Sequence, residues 1–200
     1  DKHHAYFQIV DRYIQKRNEL GTIQNKRILY QVLKQIEGYL VAPVIVNLGM
    51  SGMFHKYFME TSFRADEYHK QPEVFAKILN FLTYLNWFSK KNENYQFTEE
   101  GLFFAKRASS YGVTVSYLPL LLTMDDLLFG VASNLRNIED RSPEIHVDRA
   151  MNVWGSGGAH ATYFKVIDDF IIDIFNQPLD KQPKGLLDMG CGNGALLQHL

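Results

Sequence analysis

Of the 200 residues only Cys191 is cysteine. One thiol excludes an internal disulfide and fits a reducing compartment. Long hydrophobic runs are missing as well. No stretch of about 18 apolar residues occurs, so no segment has the pattern of a membrane-spanning helix. The opening "DKHHAYFQIVDRY" lacks the apolar core of a signal peptide. These absences together predict a cytoplasmic protein without membrane contact. An excess of charge is lacking too, since 21 basic and 22 acidic residues leave a formal net charge of −1. Dedicated nucleic-acid binders are usually clearly basic, so this balance argues against that class, though it leaves room for a local basic face. No internal repeat or low-complexity tract interrupts the chain.

Apolar and aromatic residues are plentiful. Hydrophobic residues make up 46% of the chain and charged residues 22%, enough to bury a core and too apolar for a disordered tail. The 14 Phe, 11 Tyr and 2 Trp suit a core, a dimer seam or a pocket equally well. Residues 5–19 place Tyr6, Val10, Tyr13 and Ile14 on one helical face, with Gly21 as a stop. Leu29, Val32, Leu33, Ile36 and Leu40 repeat at helical spacing. Pro43 then starts or kinks a further apolar stretch, "PVIVNLG".

Residues 62–107 carry a more specific order. "SFRADEYHK" reads as a short helix. Pro72 opens a second helix striped with Phe75, Ile78, Leu79, Leu82 and Leu85. "NWFS", "KKNEN" and "YQFT" read as a hairpin. Thr98 is placed to cap a third helix, with Glu99 and Glu100 at its positive end. Helix, helix, hairpin, helix is the order of a winged helix, a fold often used to read DNA. The would-be recognition helix, however, presents Val74, Phe75, Ile78, Phe81, Leu82 and Tyr84, with Lys77 its one base. A helix entering the major groove needs groups for phosphates and base edges. A protein partner suits this one better.

Residues 116–130 predict a short apolar helix, a connector or lid, and the polar stretch 133–149 with Pro143 is the best domain boundary. The chain thus divides into a helical, winged-helix-like front domain (1–110), a helical connector or lid (111–150) and a third region (151–200). In "NVWGSGGAHATYF", Gly155, Gly157 and Gly158 predict a loop able to pass close to a ligand. A helix over 161–176 follows, with Phe164, Ile167, Phe170, Ile171, Ile174 and Phe175 inward.

The closing stretch, "LLDMGCGNGALLQHL", reads as an apolar strand, a glycine-rich turn and a helix start. Glycines at 190, 192 and 194 let the backbone turn sharply and let a ligand approach. Asp188 narrows the ligand. A carboxylate there repels a pyrophosphate, and no lysine in the turn offsets it. S-adenosylmethionine has no phosphate and carries an ammonium and a sulfonium, which a carboxylate favours. Asp188, Gly190, Gly192 and Gly194 are therefore candidate cofactor-binding residues. The alternative for Asp188 is a cap on the turn's own amides. The short connection "NQPLDKQPK" predicts that helix 161–176 runs antiparallel to the strand, with its start beside the glycine turn. That places His160 and Tyr163 at the same site, where free helix-start amides would face a carboxylate. Packing inside the core is the alternative for both. Cys191 has no histidine nearby in the sequence to activate it as a nucleophile, so loop variation is its simpler reading.

Asp188-x-Gly190-x-Gly192-x-Gly194 resembles the first motif of class I S-adenosylmethionine-dependent methyltransferases. The order of winged-helix-like region, helical connector and glycine motif is similar to small-molecule methyltransferases whose front domain dimerises and roofs the substrate pocket. "NVWGSGGAHATYF" followed by "DMGCGNG" resembles the methyltransferase domains of bacterial polyketide synthase assembly lines. This resemblance implies a mostly α front region followed by the start of a doubly wound α/β methyltransferase fold. It also implies S-adenosylmethionine as cofactor, and an acyl carrier protein or a small molecule as partner, with a homodimer open. Some relatives C-methylate carrier-bound malonyl or acyl groups, and some use a mononuclear iron. The iron rests on resemblance alone, since His3, His4, His55, His69, His146 and His199 show no ligand spacing. No catalytic or metal-binding residue is identified. One strand cannot make a doubly wound sheet, so the sequence reads as the front of a longer protein, truncated within its catalytic fold. A stand-alone O-methyltransferase and a non-catalytic winged-helix interaction or DNA-binding module are the competing readings.

Overall fold

Tyr6, Val10, Tyr13 and Ile14 share one helical face, and in the computed structural model that face turns inward from helix α1 (Lys2–Leu20). The structure describes residues 2–20, 26–131, 145–192 and 194–200. Two compact units divide the chain, Asp1–Ala108 and Ser109–Leu200. Sequence position 21, read as a helix stop, and most of the polar stretch with Pro143 lie outside the described residues.

In the first unit, α1 packs on α2 (Lys26–Met50), a single helix that runs through Pro43. Val41, Ile45, Val46 and Leu48 of its second half are buried. In its first half Val32 and Ile36, expected on the core face, are 50% and 41% exposed. Polar groups tie the two helices. The Tyr13 hydroxyl donates to Glu37 Oε2 at 2.7 Å, and Lys34 Nζ donates to Glu37 Oε1 at 2.7 Å. Burial, then the bonded Glu37 carboxylate, push the Tyr13 hydroxyl well above the ordinary tyrosine range. The Tyr6 hydroxyl donates to the Leu40 carbonyl at 3.1 Å.

The winged helix follows. Its elements are α3 (Lys56–Glu60), β1 (Phe63–Arg64), α4 (Ala65–Tyr68), α5 (Pro72–Tyr84), β2 (Phe88–Lys91), β3 (Asn94–Phe97) and α6 (Glu99–Ala105). The antiparallel sheet has the order β1-β3-β2, with Phe63 opposite Tyr95 and Phe88 opposite Phe97. The two-residue strand β1 has no signal in the sequence, because only its pairing with β3 makes it a strand. The predicted hairpin forms and turns at Asn92, whose φ of 55° is the left-handed region that asparagine tolerates. Thr98 caps α6 as expected, its Oγ1 accepting from the Gly101 amide at 3.0 Å. A Cβ on Gly101 would sit 2.0 Å from the Trp87 carbonyl oxygen, so only glycine lets α6 approach the hairpin.

The apolar surplus of α5 now has a cause. Phe75, Leu79 and Leu82 are buried, as the stripe predicts, and Phe81 is covered from the side by α1. The Tyr13 ring meets Phe81 edge-on at 6.2 Å, Lys77 Nζ lies 5.5 Å from the centre of the Phe7 ring, and the Tyr84 hydroxyl donates to Asn18 Oδ1 at 2.9 Å. The first helix of the chain is thus the partner of the helix that a DNA reader would present.

The second unit opens with a 3-10 turn (Ala108–Tyr111, its first residue shared with the first unit) and the short helices α7 (Gly112–Ser116), α8 (Leu118–Leu121) and α9 (Met124–Phe129). The single helix predicted over 116–130 is therefore broken. Pro119 cannot donate into a preceding turn, and it sits at the start of α8, where a missing amide costs least. The 27-residue α10 (Arg149–Phe175) and the five-residue α11 (Ala195–His199) complete the unit. No helix among the described residues is long and apolar enough to cross a membrane.

Two expectations need correction here. "WGSGGAH" is the interior of α10 and not a loop, so the helix read over 161–176 starts twelve residues earlier, at Arg149. The amides around His160 therefore lie inside a helix and are not free donors. "GLLDMG" carries no regular structure through Asp188, for it has no strand partner among the described residues, and Leu187 is 85% exposed. For the same reason much of the stripe expected to face a sheet is open, with Phe170 66% exposed.

Candidate functional site

The site is assembled on the first half of α10. Asp148 caps that helix, its carboxylate accepting from the Met151 amide at 3.0 Å, while its own amide donates to the Ser116 carbonyl at 2.8 Å. Asn152 Nδ2 donates to Ser116 Oγ at 3.0 Å, and Ser116 is fully buried. One turn on, α10 meets α7 backbone to backbone. A Cβ on Gly155 would lie 2.6 Å from the Val113 amide nitrogen and 2.8 Å from Gly112 Cα. Gly155 is thus a packing glycine, and it continues a helix where the sequence suggested a ligand loop.

The opposite requirement rules at the closing turn. Gly190, Gly192 and Gly194 have φ of 83°, 57° and 76°, all in the left-handed region that favours glycine. The Gly194 amide donates to the Cys191 carbonyl at 2.8 Å, which closes the turn, and Gly194 leads into α11. Open space surrounds the Cβ positions of Gly190 and Gly194, so conformation and not crowding selects glycine there.

Turn and helix enclose a cleft of about 320 Å³. Val153, Gly157, His160 and Phe164 line one wall, at spacings of four, three and four residues, which is one face of α10. Asp188, Gly190 and Gly192 line the other. The volume lies at the lower end of small-molecule sites. Of the residues singled out from sequence, the structure brings Asp188, Gly190, Gly192 and His160 to one cleft. Gly194 stands behind the turn as the cap of α11. Tyr163 is 64% exposed and outside the lining, its ring 6.3 Å from that of His160. Tyr163 comes one residue before Phe164, a rotation of about 100° around α10, which turns it off the cleft face. Cys191 lies on the cleft rim, exposed.

One contact escaped the sequence reading. His199 Nε2 and Asp168 Oδ1 lie 2.7 Å apart, and the His199 ring rests 5.7 Å from that of Phe164. Its signal was available. Asp168 falls four residues after Phe164, on the same face of α10. Among the described residues no group of three His, Cys, Asp or Glu side chains comes together to hold a metal ion.

Residues 37–131 match the family model described as the AprA winged helix domain. Residues 144–200, which include α10 and the whole cleft, match the one described as the AprA MT2-like domain. No curated protein matches the chain. Over these two stretches the chain is similar to a winged helix domain and to a methyltransferase-related domain.

Proposed function

We propose that the cleft between α10 and the glycine turn belongs to the S-adenosylmethionine site of a methyltransferase that works on polyketide-type, carrier-bound acyl groups. The observation that carries this reading is the pairing of Asp188 with the left-handed Gly190 and Gly192 in one small-molecule-sized cleft. The match to a methyltransferase-like family over the same residues supports it. The fit is chemical. The Asp188 carboxylate, half buried on the cleft wall, suits a ligand that carries positive charge and no phosphate. The glycines keep side chains out of the ligand's path, and His160 offers a ring nitrogen from the facing helix.

When bound, S-adenosylmethionine supplies an electrophilic methyl carbon whose bond to sulfur breaks as the acceptor's bond to it forms. The work of this chain is orientation. Asp188 holds the positively charged end of the ligand by charge, the rigid turn fixes the approach distance, and α10 excludes water from one side. Removing the Asp188 charge isosterically tests the assignment. Asp188→Asn in the intact protein should weaken S-adenosylhomocysteine binding about ten- to hundredfold by calorimetry, the scale of one hydrogen bond to a charged group. Its melting temperature should be unchanged. Unaltered affinity would remove Asp188 from the site and the assignment with it. Gly192→Val should abolish binding too, since a branched residue at φ 57° is strained and its side chain points toward Val153.

A further inference from the structure

We propose that the front unit carries a small-molecule site of its own, a cavity between α1, α2 and the start of α5 that takes an uncharged, flat-ringed molecule with one hydrogen-bonding edge. The cavity has a volume of about 500 Å³, larger than the cleft on α10 and within the range of small-molecule sites. The methyltransferase reading does not use it, and the inference does not rest on that reading.

Its walls are side chains whose polar atoms are tied back to the protein. The Tyr6 hydroxyl donates to the Leu40 carbonyl at 3.1 Å, and Asn47 Nδ2 donates to the Pro43 carbonyl at 2.8 Å. The Ser51 hydroxyl donates to the Asn47 carbonyl at 2.8 Å, so the proton in its contact with the Tyr68 hydroxyl comes from the tyrosine. With both hydroxyls engaged, Tyr6 and Tyr68 have ring surface left to offer. The Tyr68 ring stands 4.9 Å from that of Phe75, and the His69 ring 5.8 Å from it. Phe75 is buried, which anchors the group, and Leu48, Val74 and Ile78 extend the apolar lining. Rings held in place offer faces against which another ring packs.

The polar groups still unused are few. The Gln71 backbone amide donates to His69 Nδ1 at 3.0 Å, which puts the proton of the neutral ring on Nε2. That proton, Asn47 Oδ1 and the Gln71 side-chain amide meet no partner among the described residues. They supply the donors and acceptors for one edge of a ligand. No Asp, Glu, Lys or Arg lines the cavity. A charged ligand would lose water without meeting an opposite charge, so the site selects against it. Tyr6 belongs to α1, Asn47 to α2 and Val74 to α5. A molecule seated here touches all three and clamps α1 to the winged helix.

Calorimetry on the intact chain with 1-naphthol at neutral pH tests the site. Binding should be saturable and one to one. 1-Naphthoate and 1-naphthylmethylammonium should bind at least tenfold more weakly. Val74→Phe places a ring in the cavity and should weaken 1-naphthol at least tenfold. Gln71→Ala, at an exposed position that does not threaten folding, should weaken it about fivefold, the scale of one neutral hydrogen bond. Hydrogen exchange should show the α1 amides protected about tenfold more at a naphthol concentration ten times Kd. Absence of saturable binding in the wild type overturns the proposal. So does wild-type affinity in both variants, or equal affinity for the charged analogues. Sedimentation that finds a wild-type dimer and a folded, monomeric Val74→Phe also overturns it, because the cavity would then be an interface between copies of the chain.

Discussion

Two glycines of α10, two residues apart, should respond to the same substitution with opposite signs. At Gly155 a new Cβ would meet three backbone atoms of α7 at 2.6 to 2.8 Å. Ordinary contact begins near 3.4 Å, and backbone cannot rotate away as a side chain can. The helices must therefore separate by most of an ångström, and overpacking of that kind costs about 1–3 kcal/mol. Three clashing backbone atoms place Gly155→Ala near the upper end. Removing a helical glycine returns about 1 kcal/mol, so the net loss is about 2 kcal/mol. At Gly157 nothing lies within 4 Å of the new Cβ. Gly157→Ala should stabilise by about 0.5–1 kcal/mol through backbone entropy alone. Urea unfolding followed by circular dichroism at 222 nm measures both, and the midpoints should fall on opposite sides of wild type. Gly157 also lines the cleft, so its stabilised variant should bind S-adenosylhomocysteine more weakly. A Gly155→Ala protein as stable as wild type would show that the α7–α10 crossing is not close-packed. The stretch would then regain its reading as a ligand loop.

Other outcomes follow from the same contacts. His160→Ala should lower cofactor affinity more than thermal stability, while Tyr163→Phe should change neither, because Tyr163 stands outside the cleft. Equal binding effects of the two variants would contradict this geometry. Burial pushes the Tyr6 hydroxyl up to about 12. The folded state thus holds its proton where the unfolded chain gives it up at about 10. The Tyr6 contribution is complete below pH 10 and is lost as pH rises through 12, about 2–3 kcal/mol in all. Tyr6→Phe should flatten that part of the stability profile in alkaline denaturation. Electrophoretic shift at physiological salt should detect no specific duplex complex, given the flank of α5 taken by α1 and the single base of that helix. A sequence-dependent shift would reverse that expectation.

Much of the front unit is local in origin and was legible for that reason. The apolar period of α5, the hairpin residues and the Thr98 cap each act within a few residues, and each formed where the pattern put it. The glycine turn is equally local, since only glycine readily takes three left-handed positions in five residues. The sequence by itself therefore determined a winged-helix order, a ligand-sized turn and the carboxylate beside it. It could not determine β1, which exists by pairing with β3 across some thirty residues. Nor could it tell the two kinds of glycine apart. Gly155 and Gly192 look alike in a sequence, yet one is required by the backbone of α7 and the other by its own φ. The choice of Gly155 depends on a neighbour forty residues away, which no local pattern encodes. The same holds for α5, whose excess apolar surface became intelligible only with α1 beside it, and for the contact of His199 with Asp168, which joins residues far apart in the chain. Local conformation follows from the covalent chain. Which face meets which partner is settled only when the helices pack.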